Sequence, residues 1–279
     1  MYTKEEFVSD CSELFARCPD NQIEIPGAGP IQLFEPPIIG FASATDQLFE
    51  QYKEKEVIGS MFLSPEEWLP GAKTVAAFFF PFSSDVRDSN RETPDQPSDL
   101  WLYGRLEGQQ FLDGFMQKVR QHLTDAGIEV CVPSTDGRFQ AQRELLVGDD
   151  GDDFHVNSRW SERHAAYACG LGTFGLSRGL ITKRGVAGRI ASIVTDAEFE
   201  PDERPYTDAY DYCVRCGACI VKCPAKAISL EYGKNNVKCS SYLDNTKELY
   251  SPRYGCGKCQ VGVPCESRIP ASDKGAMPY

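Results

Sequence analysis

Apolar residues recur at helical spacing at the start of the chain. Phe7, Leu14 and Phe15 fall on one side of an amphipathic helix over residues 3–17. Residues 21–40 (IPGAGP, EPPIIG) are rich in Pro and Gly, which predicts irregular connection. Ser64-Pro65-Glu66-Glu67 has the order of a helix start: a capping hydroxyl, proline at the first helical position, then acids. Lys73 to Phe80 (KTVAAFFF) is an unbroken apolar run of strand length, which predicts a buried strand. Residues 83–99 are polar with two prolines and predict a long surface loop, a candidate lid. From Leu106 to Ala126, Phe111, Phe115, Val119 and Leu123 step by four, predicting a long helix that Gly127 stops. Ile128 to Val132 then returns as a strand, which makes a βαβ-like unit.

Further on, the acidic GDDGDD (148–153) suits a solvated turn better than a calcium site, because its spacing is not that of an EF-hand loop. Arg159 to Cys169 predicts a helix. Leu180–Thr182 and Ile190–Thr195 predict two strands around the turn KRGVAG. The run EFEPDERPYTD marks a boundary near residue 200, dividing the chain into a body, 1–200, and a tail, 201–279. No long-period repeat is present. The fold class expected is an α/β (α+β) body followed by a separate C-terminal module.

Charge sharpens that division. The net charge of −12 is carried by the body, which holds 18 Lys and Arg against 32 Asp and Glu, whereas the tail holds 11 against 9. An acidic body argues against DNA, RNA or an anionic membrane as partner. The near-neutral tail suits a segment that holds anionic clusters or docks an acidic electron carrier. The N-terminus has no basic region followed by an apolar stretch, and the longest apolar run is far too short to cross a bilayer, so a cytoplasmic protein is expected.

Twelve cysteines in such a chain argue for metal rather than disulfides. Cys11, Cys18, Cys131 and Cys169 are scattered and read as small buried hydrophobes. The other eight lie between residues 213 and 265. Cys213-x2-Cys216-x2-Cys219-x3-Cys223-Pro224 has the spacing of bacterial ferredoxins, in which three thiolates on a tight loop reach three irons of one [4Fe–4S] cube and the fourth serves a second cube. Pro224 is expected to turn the chain away and begin a short helix, AKAISL. Cys239, Cys256, Cys259 and Cys265 complete the count for two clusters. The assignment is Cys213, Cys216, Cys219 and Cys265 on one, and Cys223, Cys239, Cys256 and Cys259 on the other. A zinc knuckle at Cys256 and Cys259 would leave the first run short of a ligand. The tail is therefore a bacterial-ferredoxin-like two-cluster module that moves single electrons.

Such a module needs far fewer residues than the chain has, so the body is expected to hold the electrons' destination. Gly170-Leu171-Gly172-Thr-Phe-Gly175 is a literal G-x-G-x-x-G with Asp196 downstream, but the residues before it read as a helix, not the strand that a nicotinamide site requires. The glycines instead let backbone approach a flat ligand or the adjacent cluster. His122, His155 and His164 read as structural, and no D-x-H-x-x-G occurs. Tyr103, Arg105 and Tyr167 are further pocket candidates.

The chain resembles the epoxyqueuosine reductase family, relatives of the reductive dehalogenases, over about residues 70–265. The shared features are Glu162, Arg163, Ala166, Gly170, Leu171, Gly172 and Gly175, the ferredoxin run, Cys239-Ser-Ser-Tyr-Leu, and Gly255-Cys256-x-x-Cys259-Gln260. The resemblance implies a body that binds cobalamin without its lower base, at Asn157, Ser158, Arg163, Gly170, Leu171, Gly172 and Gly175, and two [4Fe–4S] clusters that reduce the cobalt. It implies a ferredoxin or flavodoxin as electron donor and a small-molecule substrate. Asn157, one residue out of step, stands near the place of the family's acidic proton donor, and Asn cannot act as an acid. Leu106-Glu107-Gly108 replaces the family's Asp-Tyr-His, and the last cysteine comes two residues late. With no helical-repeat extension before Tyr279, a tRNA substrate is not expected. The competing expectation is a non-catalytic electron-transfer adaptor, without a substrate pocket of its own.

Overall fold

The computed structural model describes residues 2–25, 29–148 and 151–271. Part of two segments considered above, residues 26–28 of IPGAGP and 149–150 of GDDGDD, therefore lies outside the described residues.

The body opens with α1 (Lys4–Ala16), where Thr3 accepts from the Glu6 amide and Glu6 accepts from the Thr3 amide, satisfying two donors at the helix start. A hairpin follows, β1 (Gln22–Ile25) and β2 (Gly29–Gln32), and then β3 (Ile38–Ser43). Much of the described part of 21–40 is thus strand, while 33–37 stay outside any strand. Ile23, Ile25 and Ile31 pack on the core beneath the hairpin, and that three-residue signal is too short to compete with Pro and Gly in a sequence window. Two short helices, α2 (Gln47–Gln51) and α3 (Pro65–Trp68), lead to β4 (Thr74–Pro81), buried at every position.

After β4 come α4 (Ser84–Glu92), α5 (Asp99–Asp125) and β5 (Val130–Cys131). The expected loop over 83–99 is largely helix. Ser83 accepts from the Val86 amide to start α4, and Ser98 accepts from the Trp101 amide to start α5 seven residues earlier than its apolar period suggests. The described part of GDDGDD belongs to the hairpin strands β6 (Ala141–Gly148) and β7 (Gly151–Ser158). Then follow α6 (Glu162–Ala168), β8 (Gly172–Phe174), β9 (Leu180–Thr182) and β10 (Gly188–Thr195).

The central sheet has the order β3-β4-β10-β5, each neighbouring pair antiparallel. β4 and β5 therefore run parallel with β10 inserted between them. The βαβ-like unit exists, but split, and β9 pairs with β8 rather than with β10. Ala76, Phe78 and Phe80 of β4 face a core built with Phe7 and Phe15 of α1 and Phe111, Phe115 and Val119 of α5. Val75, Ala77 and Phe79 face the opposite core with Phe49, Trp68, Trp160 and Ala166. Burial on both faces explains why β4 reads as an unbroken apolar run.

The tail contains α7 (Ala218–Val221), a small hairpin of β11 (Ile228–Ser229) and β12 (Gly233–Lys234), and α8 (Asn236–Tyr250). AKAISL is not a helix: Ala225 lies in a turn, Lys226 adopts φ 47°, and the chain then enters β11, with Ala227 and Ile228 buried. The tail packs against the body at several points. Amides of Val186 and Ala187 donate to the Glu266 carbonyl at 3.1 Å, and the Glu266 carboxylate pairs with Arg91. Asn236 donates from its amide to Asp153 at 2.6 Å and from its side chain to the Phe154 carbonyl at 2.8 Å, joining the start of α8 to the β6–β7 hairpin. No helix among the described residues is long and apolar enough to cross a membrane.

Candidate iron–sulfur centre

The eight tail cysteines line two separate spaces. Cys213, Cys216, Cys219 and Cys265 surround a small cleft whose other wall is Gly175, Leu176, Ser177 and Ile181 of the body. Cys223, Cys239, Cys256 and Cys259 line one end of a larger cavity of about 460 Å³ between body and tail. The electrostatic neighbours of Cys265 and Cys256 divide the same way, whereas Cys219 of the first set, after burial, is perturbed most by Cys259 of the second. Cys265 is perturbed by Cys213, Cys219 and Cys216, and Cys256 by Cys259, Cys223 and Cys239. Burial, reinforced by these thiols, pushes Cys219, Cys256 and Cys265 up to about 12 and Cys259 up to about 11. These thiols hold their protons at neutral pH until iron displaces them. Among the described residues, no three Cys, His, Asp or Glu side chains converge as ligands of a single metal ion.

Of the eight thiols, Cys216 is exposed at the surface, whereas Cys259 and the other six are half-buried. The inner loop is held from behind by α4. Lys258, 1% exposed, donates from Nζ to the Asn90 carbonyl at 2.6 Å and to Thr93 Oγ1 at 2.7 Å, and Asn90 Nδ2 donates to the Cys256 carbonyl at 3.0 Å. The segment that reads as a lid is thus the platform of the second set of thiols. Gly257 adopts φ 68°, and a Cβ there would stand 1.9 Å from the Trp101 ring, so the loop closes over that indole only with glycine.

The far walls of the cavity come from α5 (Trp101, Arg105, Gln109), the first residues of α6 (Glu162, Arg163) and β10 (Gly188, Arg189, Ile190). Three buried polar atoms among the described residues have no hydrogen-bond partner: Glu162 Oε1, Arg189 Nε and Gln260 Oε1. All three belong to residues lining this cavity. Glu162 Oε2 accepts from Ser192 Oγ at 2.6 Å, and Trp160 Nε1 donates to the same Ser192 hydroxyl at 2.9 Å. Burial pushes Glu162 up to about 7, against the hydrogen bonds that hold it down. Arg163 lines the cavity with an accessible side chain; surrounding protein atoms and Arg105 disfavour its charge, while Cys259 and Cys239 favour it.

Of the residues singled out from sequence, Arg163, Arg105, Cys223, Cys239, Cys256 and Cys259 meet at this cavity. Asn157 and Ser158 do not line it. Asn157 Nδ2 donates to Glu144 at 2.7 Å and its Oδ1 accepts from the Met61 amide, while Ser158 Oγ donates to the Trp160 carbonyl. Gly170, Leu171 and Gly172 also lie away from it. α6 precedes these glycines, as their reading against a nicotinamide site requires, and a Cβ on Gly172 would stand 2.0 Å from the Ile181 carbonyl oxygen of β9. Gly175 lies at the other cleft, beside Cys213 and Cys219. The histidines also lie elsewhere: His122 pairs with Asp10, His155 with the Ile58 carbonyl, and His164, held neutral by burial, with Ser161. Cys11, Cys18, Cys131 and Cys169 are buried in the body. Tyr103 stacks under Arg253 and Tyr167 against Tyr206. Sequence reasoning missed Glu162 as a buried acid, and it missed Gln109, Arg189 and Trp101 as cavity walls. The only available signal was an arginine in the apolar run of β10.

Residues 207–229 match a model of the 4Fe-4S binding domain. The epoxyqueuosine reductase of Staphylococcus aureus is 31% identical over 210 residues, 72% of this chain and 50% of that protein. That of Listeria monocytogenes is 36% identical over 115 residues, 37% of this chain and 29% of that protein. The chain is related to the epoxyqueuosine reductases. It matches half or less of the length of these two relatives. The fold agrees. A selenomethionine-labelled epoxyqueuosine reductase superposes with a TM-score of 0.53 at 19% identity, covering 97% of this chain and 70% of that one. A reductive dehalogenase studied for B12-dependent dehalogenation gives 0.51 at 16% identity, covering 84% of this chain and 30% of that one. The chain is thus an epoxyqueuosine-reductase-like iron–sulfur protein, with an α/β body and a ferredoxin-like 4Fe–4S segment.

Proposed function

We propose that the protein is a cytoplasmic reductase that passes single electrons through two [4Fe–4S] clusters to an acceptor in the cavity between body and tail. Cys213, Cys216, Cys219 and Cys265 hold the outer cluster; Cys223, Cys239, Cys256 and Cys259 hold the inner one. The observation that carries this reading is the division of eight thiols around two spaces, of which only the inner opens into a ligand-sized cavity. A ferredoxin or flavodoxin delivers electrons at the exposed Cys216 edge. The reducing cytoplasm keeps the thiols available for iron.

The acceptor is a corrinoid or a small substrate. The cavity lies within the ~300–1,000 Å³ range of ligand sites, and its aromatic walls, Trp101, Trp160 and Phe82, suit a flat ring. The orphaned acceptors on Glu162 and Gln260 and the orphaned donor on Arg189 match the amides around a corrin rim. When bound, a corrinoid supplies a metal that takes up electrons singly and reacts with substrate. The protein's own residues orient the ring, exclude water and supply the proton that reduction consumes. Glu162 is the one carboxyl lining the cavity, and with a pKa near 7 it is available as an acid at neutral pH.

Anaerobic reconstitution with iron and sulfide, followed by titration with cobalamin, tests this. Eight irons per chain and a cobalamin spectrum shifted to the base-off form are expected. Four irons per chain would refute the two-cluster assignment. An unchanged cobalamin spectrum would leave the cavity to substrate alone.

A further inference from the structure

Several arginines that are at least partly covered are ion-paired: Arg87 and Arg184 with Glu35, Arg91 with Glu266, Arg138 with Asp136, Arg204 with Asp46 and Arg253 with Glu107. The three that line the cavity, Arg105, Arg163 and Arg189, take part in no ion pair among the described residues. They nevertheless crowd one another: Arg105 and Arg163 disfavour the charge on Arg189, and Arg105 disfavours that on Arg163. Arg163 has the thiols of Cys259 and Cys239 to offset it. Arg105 stacks on the Tyr254 ring, 4.8 Å from its centre, and donates to the Tyr254 hydroxyl at 3.2 Å. Arg189 donates to the Gln109 side-chain carbonyl and leaves its buried Nε without a partner. Gln109 in turn donates to Asp113 at 2.7 Å, so the carboxylate that favours the charge on Arg189 is engaged through an amide.

A guanidinium does not escape burial by losing its proton. Arg105 and Arg189 are half-buried on one cavity, each disfavours or is disfavoured by the other's charge, and their partners are a ring and an amide rather than a carboxylate, an arrangement that suits an anion. We propose that Arg105 and Arg189 form an oxyanion subsite, so that the ligand of this cavity carries a carboxylate or phosphate group held in their planar forks. This rests on the reading of the cavity as a ligand site, but not on the number of clusters.

Inorganic phosphate is the probe, added at constant ionic strength to the iron-loaded protein and followed by ³¹P line broadening. Wild type is expected to broaden the signal saturably. Arg105→Gln and Arg189→Gln should each weaken binding at least tenfold, Arg189→Lys less, and the control Arg143→Gln not at all. If the glutamine variants fail to retain iron, the wild type alone decides: phosphate should protect Arg105 and Arg189, but not Arg143, from phenylglyoxal. Two corrinoids distinguish the source of the anion. Displacement of phosphate by cobalamin but not by cobinamide, which lacks the phosphodiester, assigns the subsite to a cofactor tail. Retention of phosphate with both assigns it to the substrate. Equal broadening by wild type and the Arg105→Gln/Arg189→Gln double variant, or no protection of either arginine, overturns the subsite. Neither of those results changes the iron count on which the two-cluster reading depends.

Discussion

After burial itself, the group that most opposes ionisation of Cys219 is Cys259, ahead of Cys213 and Cys216, which share its own cleft. The two sets of thiols therefore feel each other's charge along the line from Cys219 to Cys259. That line leads from the exposed cleft to the cavity.

Clusters held on either side of that line should sense each other's electron. The fully reduced protein is expected to show a broadened, spin-coupled resonance. Cys265→Ala and Cys259→Ala should each lose about four irons and leave a simple uncoupled signal. Loss of all eight irons in both variants would show that the two sets do not load independently.

Glu162 links stability to pH. Its folded pKa, about 7, stands above the ordinary 4.5, so between those values the native state binds more protons than the unfolded chain and loses stability as pH rises. The groups that bear on it are Ser192, Ser134, Trp160 and Asp113, with the guanidiniums of Arg105, Arg163 and Arg189 sharing its cavity. Glu162→Gln should match wild type at pH 4.5 and exceed it at pH 8 by on the order of 2 kcal/mol, measured by denaturant unfolding of the iron-loaded protein. Any reductase activity of the wild type should fall as pH rises past 7, and that fall should be absent in the variant.

Lys258 carries a charge into the interior and is held by oxygens of Asn90 and Thr93. Lys258→Met leaves those acceptors unpaired. It should cost about 3 kcal/mol in thermal or denaturant unfolding and shift the inner cluster to a more negative potential, since a cation beside Cys256 and Cys259 favours the reduced state. An unchanged potential would place the ammonium's effect outside the cluster's field.

Asn157→Asp tests whether the position can take up an acidic role. Its side chain is enclosed by Gly59, Met61 and Glu144, and a carboxylate there would face Glu144 Oε1. The variant should be destabilised by about 2 kcal/mol at pH 7, recover towards pH 4, and gain no activity. A gain in turnover would show that this strand end can swing to the cavity.

The sequence discloses what is carried by local spacing. β4 is legible because both its faces are buried, α5 because its apolar residues step by four, and Cys213 to Cys223 because a ferredoxin run has a fixed spacing. What stays hidden depends on distant partners. α4 buries only Val86 and Asn90, and its reason to be ordered is Lys258, far along the chain. The β6–β7 hairpin leaves Leu145, Leu146 and Val147 exposed and shows no one-sided pattern. α8 presents a single buried residue, Thr246, and is fixed by the Asn235 cap and its contacts with Asp152 and Phe154. The arginines of the cavity come from α5, α6 and β10, and only the folded sheet brings them together.

The insertion of β10 between β4 and β5 also sets a timetable for biosynthesis. Until Gly188–Thr195 has left the ribosome, β4 has one free edge and β5 has no neighbour at all, so the body cannot complete its sheet. The cysteine run begins shortly afterwards at Cys213. Closure of the body thereby comes before either thiol set is complete, since their last members are Cys259 and Cys265, and a chain halted just before β10 should be a substrate for chaperones rather than a stable body awaiting its tail.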